Sequence, residues 1–165
     1  MDRRKLQWGV AGLLVCSLFV GAHLSAKGPL GTQRQNQSVV WQTDLKAAHK
    51  LAVSTNRPLL VVFGAPWCTF CKKLERETLG DPNMAAFVNS SFVPVHLDFE
   101  KDRNVADILE VKSLPASVIL STDADLLGTI VGYVKSPEYR ESLRAALVLN
   151  RRIQQDQASA SPQSK

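Results

Sequence analysis

Hydrophobic and polar positions follow two different periods in the middle of this chain. Across residues 43–55, apolar side chains recur at helical spacing, and Thr43 or Asp44 is suited to cap the start of a helix. Residues 59–63 instead form a continuous apolar run directly after Pro58, which is typical of a strand buried on both faces. The pattern therefore predicts a helix followed by a buried strand.

The same criteria predict the remaining elements. Helices are expected where apolar residues recur every three to four positions or where a capping residue opens a segment, and strands where the apolar runs are short. The helices are expected at 68–79, 82–88, 104–111 and 136–149. The strands are expected at 92–97, 117–120 and 126–131, and a polar turn at 122–125 joins the last two.

This order of elements predicts an α/β domain over residues 39–149, with a mixed four-stranded sheet and helices on both faces. Strands separated by helices favour parallel pairing, whereas the tight turn favours an antiparallel hairpin. The segment 27–38 is polar and rich in Gly, Gln and Asn, which indicates a linker. The tail 150–165 contains few apolar residues, so it is expected to be disordered.

Residues 1–26 have the layout of a secretory signal peptide. Three basic residues at positions 3–5 precede an uncharged stretch over 6–22, and the small residues near its end suit cleavage after Ala22. An uncleaved membrane anchor is the alternative, because the stretch is just long enough to span a bilayer. Both alternatives place the domain outside the cytoplasm, in a periplasm or secreted, since a basic N-terminus stays inside.

Charge and composition exclude some classes of protein. Lys and Arg exceed Asp and Glu by 20 to 15, but no basic run is interleaved with aromatic residues, so nucleic acid is not an expected partner. Hydrophobic residues make up 45% of the chain, which is typical of a globular protein.

Two of the three cysteines, Cys68 and Cys71, lie in the exported part, where cysteines usually pair. The loop that they would close is too short to stabilise a fold much, which favours a reactive pair over a structural one. A zinc site needs more ligands than this pair supplies, and neither His49 nor His96 stands at a zinc-finger spacing. The sequence therefore predicts no metal and no cofactor.

Cys68 stands at the predicted start of a helix, directly after a strand. A thiolate at this position faces unpaired N–H groups and the positive end of the helix dipole, which lowers its pKa and makes Cys68 the expected nucleophile. Cys71, one turn inside the helix, would then resolve the mixed disulfide with a substrate. Trp67 would shield the pair and offer an apolar surface to that substrate.

The sequence Trp-Cys-Thr-Phe-Cys-Lys at 67–72, after an apolar strand, resembles the thioredoxin superfamily. Leu114-Pro115, directly before a predicted strand, matches a second landmark of that superfamily, a cis-proline loop that faces the cysteines. The stretch 71–82 is similar to the C-terminal domains of bacterial thiol:disulfide interchange reductases and to short exported thioredoxin-like proteins. The resemblance covers residues 40–149.

This resemblance implies the thioredoxin fold and thiol–disulfide oxidoreductase activity. It also implies a cis peptide at Leu114–Pro115, which would expose the Leu114 backbone beside Cys68 for pairing with a substrate strand; an ordinary trans proline is the alternative. The implied partners are exported proteins that contain disulfides and a membrane protein that donates electrons.

The chain departs from the superfamily pattern at Val62, where thioredoxins usually carry a buried Asp six residues before the first cysteine. That Asp accepts the proton of the resolving cysteine. Glu75 is the best substitute, because it lies four residues after Cys71 on the same helical face. The alternative is that Glu75 is a solvated residue that pairs with Lys72 or Lys73.

The expected function is the reduction of disulfides in exported proteins through Cys68 and Cys71. The same chemistry run as an oxidant or isomerase stays open, because the middle residues Thr69 and Phe70 do not fix the direction of the reaction. A redox-inert module that keeps the fold for protein recognition stays open too, since the Asp is missing. A maturation factor for haem-binding or copper proteins is a further alternative.

Overall fold

The computed structural model describes residues 38–160; the predicted signal or anchor segment 1–26 and nearly all of the predicted linker lie outside this range. The helices are α1 (Leu45–Thr55), α2 (Thr69–Leu74), α3 (Pro82–Ser91), α4 (Arg103–Ile108) and α5 (Ser136–Ala160). The strands are β1 (Leu59–Gly64), β2 (Val93–Asp98), β3 (Ala116–Leu120) and β4 (Leu126–Val131). No helix in the described range is long and apolar enough to cross a bilayer.

Two helices begin at aspartates that satisfy otherwise unpaired N–H groups. Asp44 Oδ1 accepts a hydrogen bond from the Ala47 N–H at 2.6 Å, which identifies the cap of α1. Asp81 Oδ1 accepts from the Met84 N–H at 2.8 Å, and Pro82 occupies the first position of α3. These caps explain why both helices begin where the sequence predicts.

The four strands form one mixed sheet, as predicted, and their order in the sheet is β2-β1-β3-β4. β1 runs parallel to β2 and antiparallel to β3, and β3 and β4 form the expected antiparallel hairpin. The antiparallel pairing of β1 with β3 was not predicted. It arises because the chain passes through α4 after β2 and returns on the other side of β1, in the opposite direction.

Helices cover both faces of the sheet, which confirms the predicted layers. All six residues of β1 are buried. Leu60 and Val62 belong to a core shared with α3 and α5, whereas Val61 and Phe63 belong to a second core shared with α1 and α4. A strand buried on both faces in this way accounts for the continuous apolar run in the sequence.

The last helix continues to Ala160, so the prediction that it ends at 149 and that the tail is disordered was wrong for residues 150–160. The buried residues of α5 are spaced by four or three positions: Tyr139, Leu143, Ala146 and Asn150. Ile153 continues this spacing and packs against the core, and Gln154 Nε2 donates to Asn56 Oδ1 at 2.9 Å. A helix needs apolar residues on only one face to pack against a core, so the low overall apolar content of the tail was a poor guide to its structure. Residues 161–165 lie outside the described range.

The predicted helix over 68–79 is divided into two parts. α2 ends at Leu74, and a π-helical turn, Glu75–Leu79, continues from it without a break. The turn is anchored to the last part of the domain, because Thr78 is buried and its hydroxyl donates to the Val134 carbonyl at 2.6 Å. A wider turn of this kind is common close to functional sites.

Candidate redox site

The cysteine pair lies where β1 passes into α2. Cys68 is the N-cap of α2 and forms a disulfide with Cys71. Both residues are nearly buried, with exposed fractions of 6% and 3%. The Cys71 N–H donates to Cys68 Sγ at 3.1 Å, so an N–H group at the start of the helix is directed at the first sulfur.

Two exposed aromatic residues border the pair. Trp67 is 63% exposed and Phe70 is 60% exposed. The Trp67 indole is nevertheless held, since its Nε1–H donates to Glu100 Oε1 at 3.0 Å. The two cysteines are therefore enclosed, while their neighbours present an apolar surface to solvent.

The Leu114–Pro115 peptide is cis, as the resemblance implies. Its place in the sheet follows from the strand register. Ala116, the next residue, pairs with Phe63 near the end of β1 that leads to the cysteines. The Pro115 carbonyl accepts from the Gly132 N–H at 2.7 Å, and Leu114 packs against the core shared with α1 and α4.

Glu75 follows Cys71 by one helical turn, and its N–H donates to the Cys71 carbonyl. Its side chain is 44% exposed, and its Oε1 lies 2.9 Å from Nε2 of His96 on β2. The Glu75 carboxylate is therefore half-exposed and pairs with His96 rather than with a lysine of its own helix. Its partner comes from the sheet.

His96 occupies a confined position above the end of β1. A Cβ at Gly64 would lie 3.2 Å from His96 Nε2, so only a glycine leaves this space open without displacing the ring. The edge of the ring meets Trp41, with ring centroids 5.6 Å apart. Sequence reasoning had assigned His96 only to a strand. The sequence signal that could have identified His96 is a polar residue between two apolar ones, Val95 and Leu97. Both of these neighbours are buried in the structure.

Lys73 takes part in a separate network on α2. Its Nζ lies 4.4 Å from the centroid of the Tyr133 ring, and the Tyr133 hydroxyl donates to Glu77 Oε2 at 2.8 Å. The hydrogen bond from Arg76, and then that from Tyr133, lower the pKa of Glu77, while Glu77 raises the pKa of Tyr133. Lys73 therefore engages Tyr133, and the contact of Glu75 is with His96 on the sheet.

Residues 38–160 contain no group of three or more His, Cys, Asp or Glu side chains that could hold a metal ion. The site consists of the cysteine pair, the exposed aromatic residues, the cis-proline loop and the Glu75–His96 pair.

Comparison with solved structures identifies the class of fold. A DsbH oxidoreductase superposes with a TM-score of 0.63 at 17% identity, covering 78% of this chain and 95% of that one. A thioredoxin from Thermus thermophilus gives a TM-score of 0.63 at 23% identity, covering 68% and 90%. The fold is therefore the thioredoxin fold. The family described as the thioredoxin-like domain matches residues 45–147, and the chain belongs to that family.

Two relatives carry thiol–disulfide names. The thiol:disulfide interchange protein DsbD of Ralstonia nicotianae is 27% identical over 126 residues, which make up 71% of this chain and 21% of that protein. The thioredoxin-related protein DsbJ of Chlamydia pneumoniae is 28% identical over 100 residues, 53% of this chain and 29% of that protein. The matched region spans less than a third of either relative. Together with the Cys68–Cys71 pair, these likenesses support thiol–disulfide oxidoreductase activity.

Proposed function

We propose that this protein is an extracytoplasmic thiol–disulfide oxidoreductase that reduces disulfides of exported proteins. The observation that carries the proposal is the Cys68–Cys71 disulfide at the start of α2, in which the Cys71 N–H donates to Cys68 Sγ. A pair that closes so short a loop adds little to stability, and a hydrogen bond to the first sulfur favours its thiolate. Both features suit a redox pair.

The reaction uses the two cysteines in turn. The Cys68 thiolate attacks one sulfur of the substrate disulfide, forms a mixed disulfide and releases the other sulfur as a thiolate. Cys71 loses its proton to Glu75, displaces the remaining substrate sulfur from Cys68 and closes the Cys68–Cys71 disulfide. The enzyme gives up two electrons, and the substrate disulfide takes up two.

The substrate contacts the exposed surface around the cysteines. Trp67 and Phe70 supply apolar area, and an extended substrate segment pairs with the backbone of Leu114 beside Pro115. The strand register supports this placement of the substrate, because it brings the start of β3, next to Pro115, beside the end of β1 that leads to the cysteines. Recognition through backbone groups and a few apolar contacts tolerates many sequences, as a general reductase requires.

The oxidised pair must regain two electrons before the next turnover, because each substrate disulfide that is reduced takes up two. We assign the supply of these electrons to a membrane electron donor, and the likeness to a thiol:disulfide interchange protein supports it. The predicted signal or anchor segment 1–26 supports a location outside the cytoplasm, where exported proteins carry disulfides.

The reduction potential tests the proposal. The full-length chain is equilibrated with glutathione buffers, and the fraction of oxidised Cys68–Cys71 is measured after alkylation of free thiols. A potential at or below that of thioredoxin, roughly −270 mV, supports a reductant. A potential near that of protein disulfide isomerase, roughly −180 mV or higher, indicates an oxidant or isomerase instead. If the disulfide does not form reversibly, the protein is a redox-inert binding module.

A further inference from the structure

We propose that His96 is a positioning residue of the redox site, which holds the Glu75 carboxylate so that its second oxygen is free to take the proton of Cys71. The inference rests on the proposed function and adds a residue to it. His96 comes from β2, outside the cysteine motif and outside the helix that carries Glu75. Its Nε2 lies 2.9 Å from Glu75 Oε1.

The surroundings of His96 leave room for the ring on one side and contact it on another. Gly64 leaves open the space beside it, since a Cβ there would approach Nε2 to 3.2 Å and Glu75 Oε1 to 3.6 Å. Trp41 meets the edge of the ring on another side. The His96 ring and the Glu75 carboxylate therefore lie together beside Gly64 at the end of β1, and Glu75 is one helical turn from Cys71.

The neighbouring positions of β1 supply no alternative proton acceptor. Leu60 and Val62 point to the face of the sheet that α2 and α5 cover, and the next residue on that face is Gly64. Cys71 is 3% exposed, so water has little access to its thiol. Glu75 is the carboxylate next along the helix, and its usefulness as a base depends on where its oxygen atoms lie.

Stability does not account for the pair. The side chains of His96 and Glu75 are 32% and 44% exposed, and ion pairs at such exposure contribute little to folding. A long glutamate side chain on an exposed helical surface samples several rotamers, whereas one oxygen fixed by an N–H donor leaves the other in a defined place. The benefit of the pair therefore lies in position.

The proton and the electrons balance in the resolving step. When Glu75 is ionised, its carboxylate only accepts hydrogen bonds, so His96 Nε2 is the donor to Oε1 in that state. Glu75 Oε2 takes the proton of the Cys71 thiol, and the Cys71 thiolate attacks Cys68. The bond between Cys68 and the substrate sulfur breaks, the Cys68–Cys71 bond forms, and the substrate leaves as a thiolate.

The test separates attack from resolution in the full-length reduced chain, with oxidised glutathione as the probe. Rapid acid quenching and mass spectrometry follow the mixed disulfide with glutathione as it forms and decays. We expect His96→Leu to slow the decay by roughly ten- to hundredfold while formation stays within about twofold of the unaltered protein. His49→Leu is the matched control. His49 is an exposed histidine on α1, and its ring hydrogen-bonds the Thr122 carbonyl instead of Glu75.

Two amide substitutions distinguish position from structure. His96→Gln places an N–H donor close to where Nε2 lies and should restore most of the decay rate, whereas His96→Asn is too short to reach Glu75 and should behave like His96→Leu. Both keep a polar side chain at the site, so they apply even if His96→Leu fails to fold. The double variant Glu75→Gln/His96→Leu should be no slower than Glu75→Gln alone.

The results that would overturn the inference are distinct from those that overturn the function. Equal decay rates in His96→Asn, His96→Gln and the unaltered protein would show that His96 does not position Glu75. Equal slowing of formation and decay would assign His96 a structural role. Additive slowing in the double variant would show that His96 acts without Glu75. If the unaltered protein forms no mixed disulfide at all, the proposed function itself is wrong.

Discussion

Cys68 and Cys71 differ in the backbone groups around their sulfur atoms more than in their burial. Cys68 precedes the first turn of α2, and its sulfur accepts the Cys71 N–H; Cys71 lies within the helix. A thiolate is favoured where N–H donors point at it, so the first sulfur is suited to attack and the second to resolve. Two cysteines three residues apart can thus have separate roles.

Substitution of each cysteine by serine should give two different results. Cys68→Ser should abolish the reduction of a disulfide substrate such as insulin, because no nucleophile remains. Cys71→Ser should leave the attack intact and accumulate mixed disulfides, since nothing resolves them. Non-reducing gels and mass spectrometry distinguish the two.

Cys16→Ser provides the control, because it removes the remaining cysteine of the chain outside the described range. It should reduce insulin at the same rate as the unaltered protein. Trapped mixed disulfides in Cys68→Ser rather than in Cys71→Ser would reverse the roles of the two cysteines.

At the level of elements, the π-helical turn Glu75–Leu79 supplies one residue of the site and depends on the glycine that follows it. It begins at Glu75, which pairs with His96, and it is followed by Gly80. A Cβ at Gly80 would lie 2.6 Å from the Arg76 carbonyl and 3.0 Å from that of Glu75. Backbone atoms cannot yield to such a contact as a flexible side chain does, so the turn requires glycine there.

Gly80→Ala should lower the free energy of unfolding by about 1–3 kcal/mol, because the added methyl group overlaps the backbone of the turn. Gly128→Ala on β4 is the control, since the nearest atom to a Cβ there lies 3.8 Å away, and its effect should stay within about 0.5 kcal/mol. Urea unfolding followed by tryptophan fluorescence measures both. Equal stability of the two variants would refute the close packing of the turn.

At the level of the whole molecule, two groups in different parts of the domain contribute to the pH dependence of stability. Backbone N–H groups, that of Lys101 above all, lower the pKa of Asp98 at the end of β2. Burial raises the pKa of Tyr139 in α5, and its hydroxyl donates to Ser117 Oγ at 2.7 Å. One group must be ionised in the folded state, and the other must stay neutral.

The stability should therefore decline at both ends of the pH scale. The contribution of Asp98 is present above its unfolded pKa of about 4 and is lost as the pH falls through the lower folded value. The contribution of neutral Tyr139 is present below its unfolded pKa of about 10 and is lost as the pH rises beyond it. Urea midpoints between pH 3 and pH 11, in steps of about one unit, should show both declines.

Substitution identifies the two groups. Tyr139→Phe should reduce the alkaline decline and lower the stability at neutral pH by about 1 kcal/mol, because Ser117 loses its partner. Asp98→Asn should weaken the acid decline, since an amide does not titrate. An alkaline decline of unchanged size in Tyr139→Phe would assign it to other groups.

Most of the fold followed from local patterns. The apolar run at 59–63 lies in β1, one of the two inner strands, and the turn at 122–125 joins β3 and β4 in a hairpin. The cysteine motif indicated its own chemistry because its parts lie within six residues. Local spacing carries such features, since neighbours in sequence share a helix turn or a strand. The end of α5 was mispredicted because composition outweighed spacing.

The sequence by itself determined most of the elements, the redox motif and the thioredoxin fold. The tertiary structure alone decided the partner of Glu75. His96 lies 21 residues along the chain and reaches Glu75 only because β2 runs parallel to β1 and the pleat turns His96 to the face that α2 covers. Spacing along one helix indicated Lys72 or Lys73 as the partner of Glu75. Contacts between elements depend instead on the strand register and on the open space at Gly64, and local periodicity does not determine either.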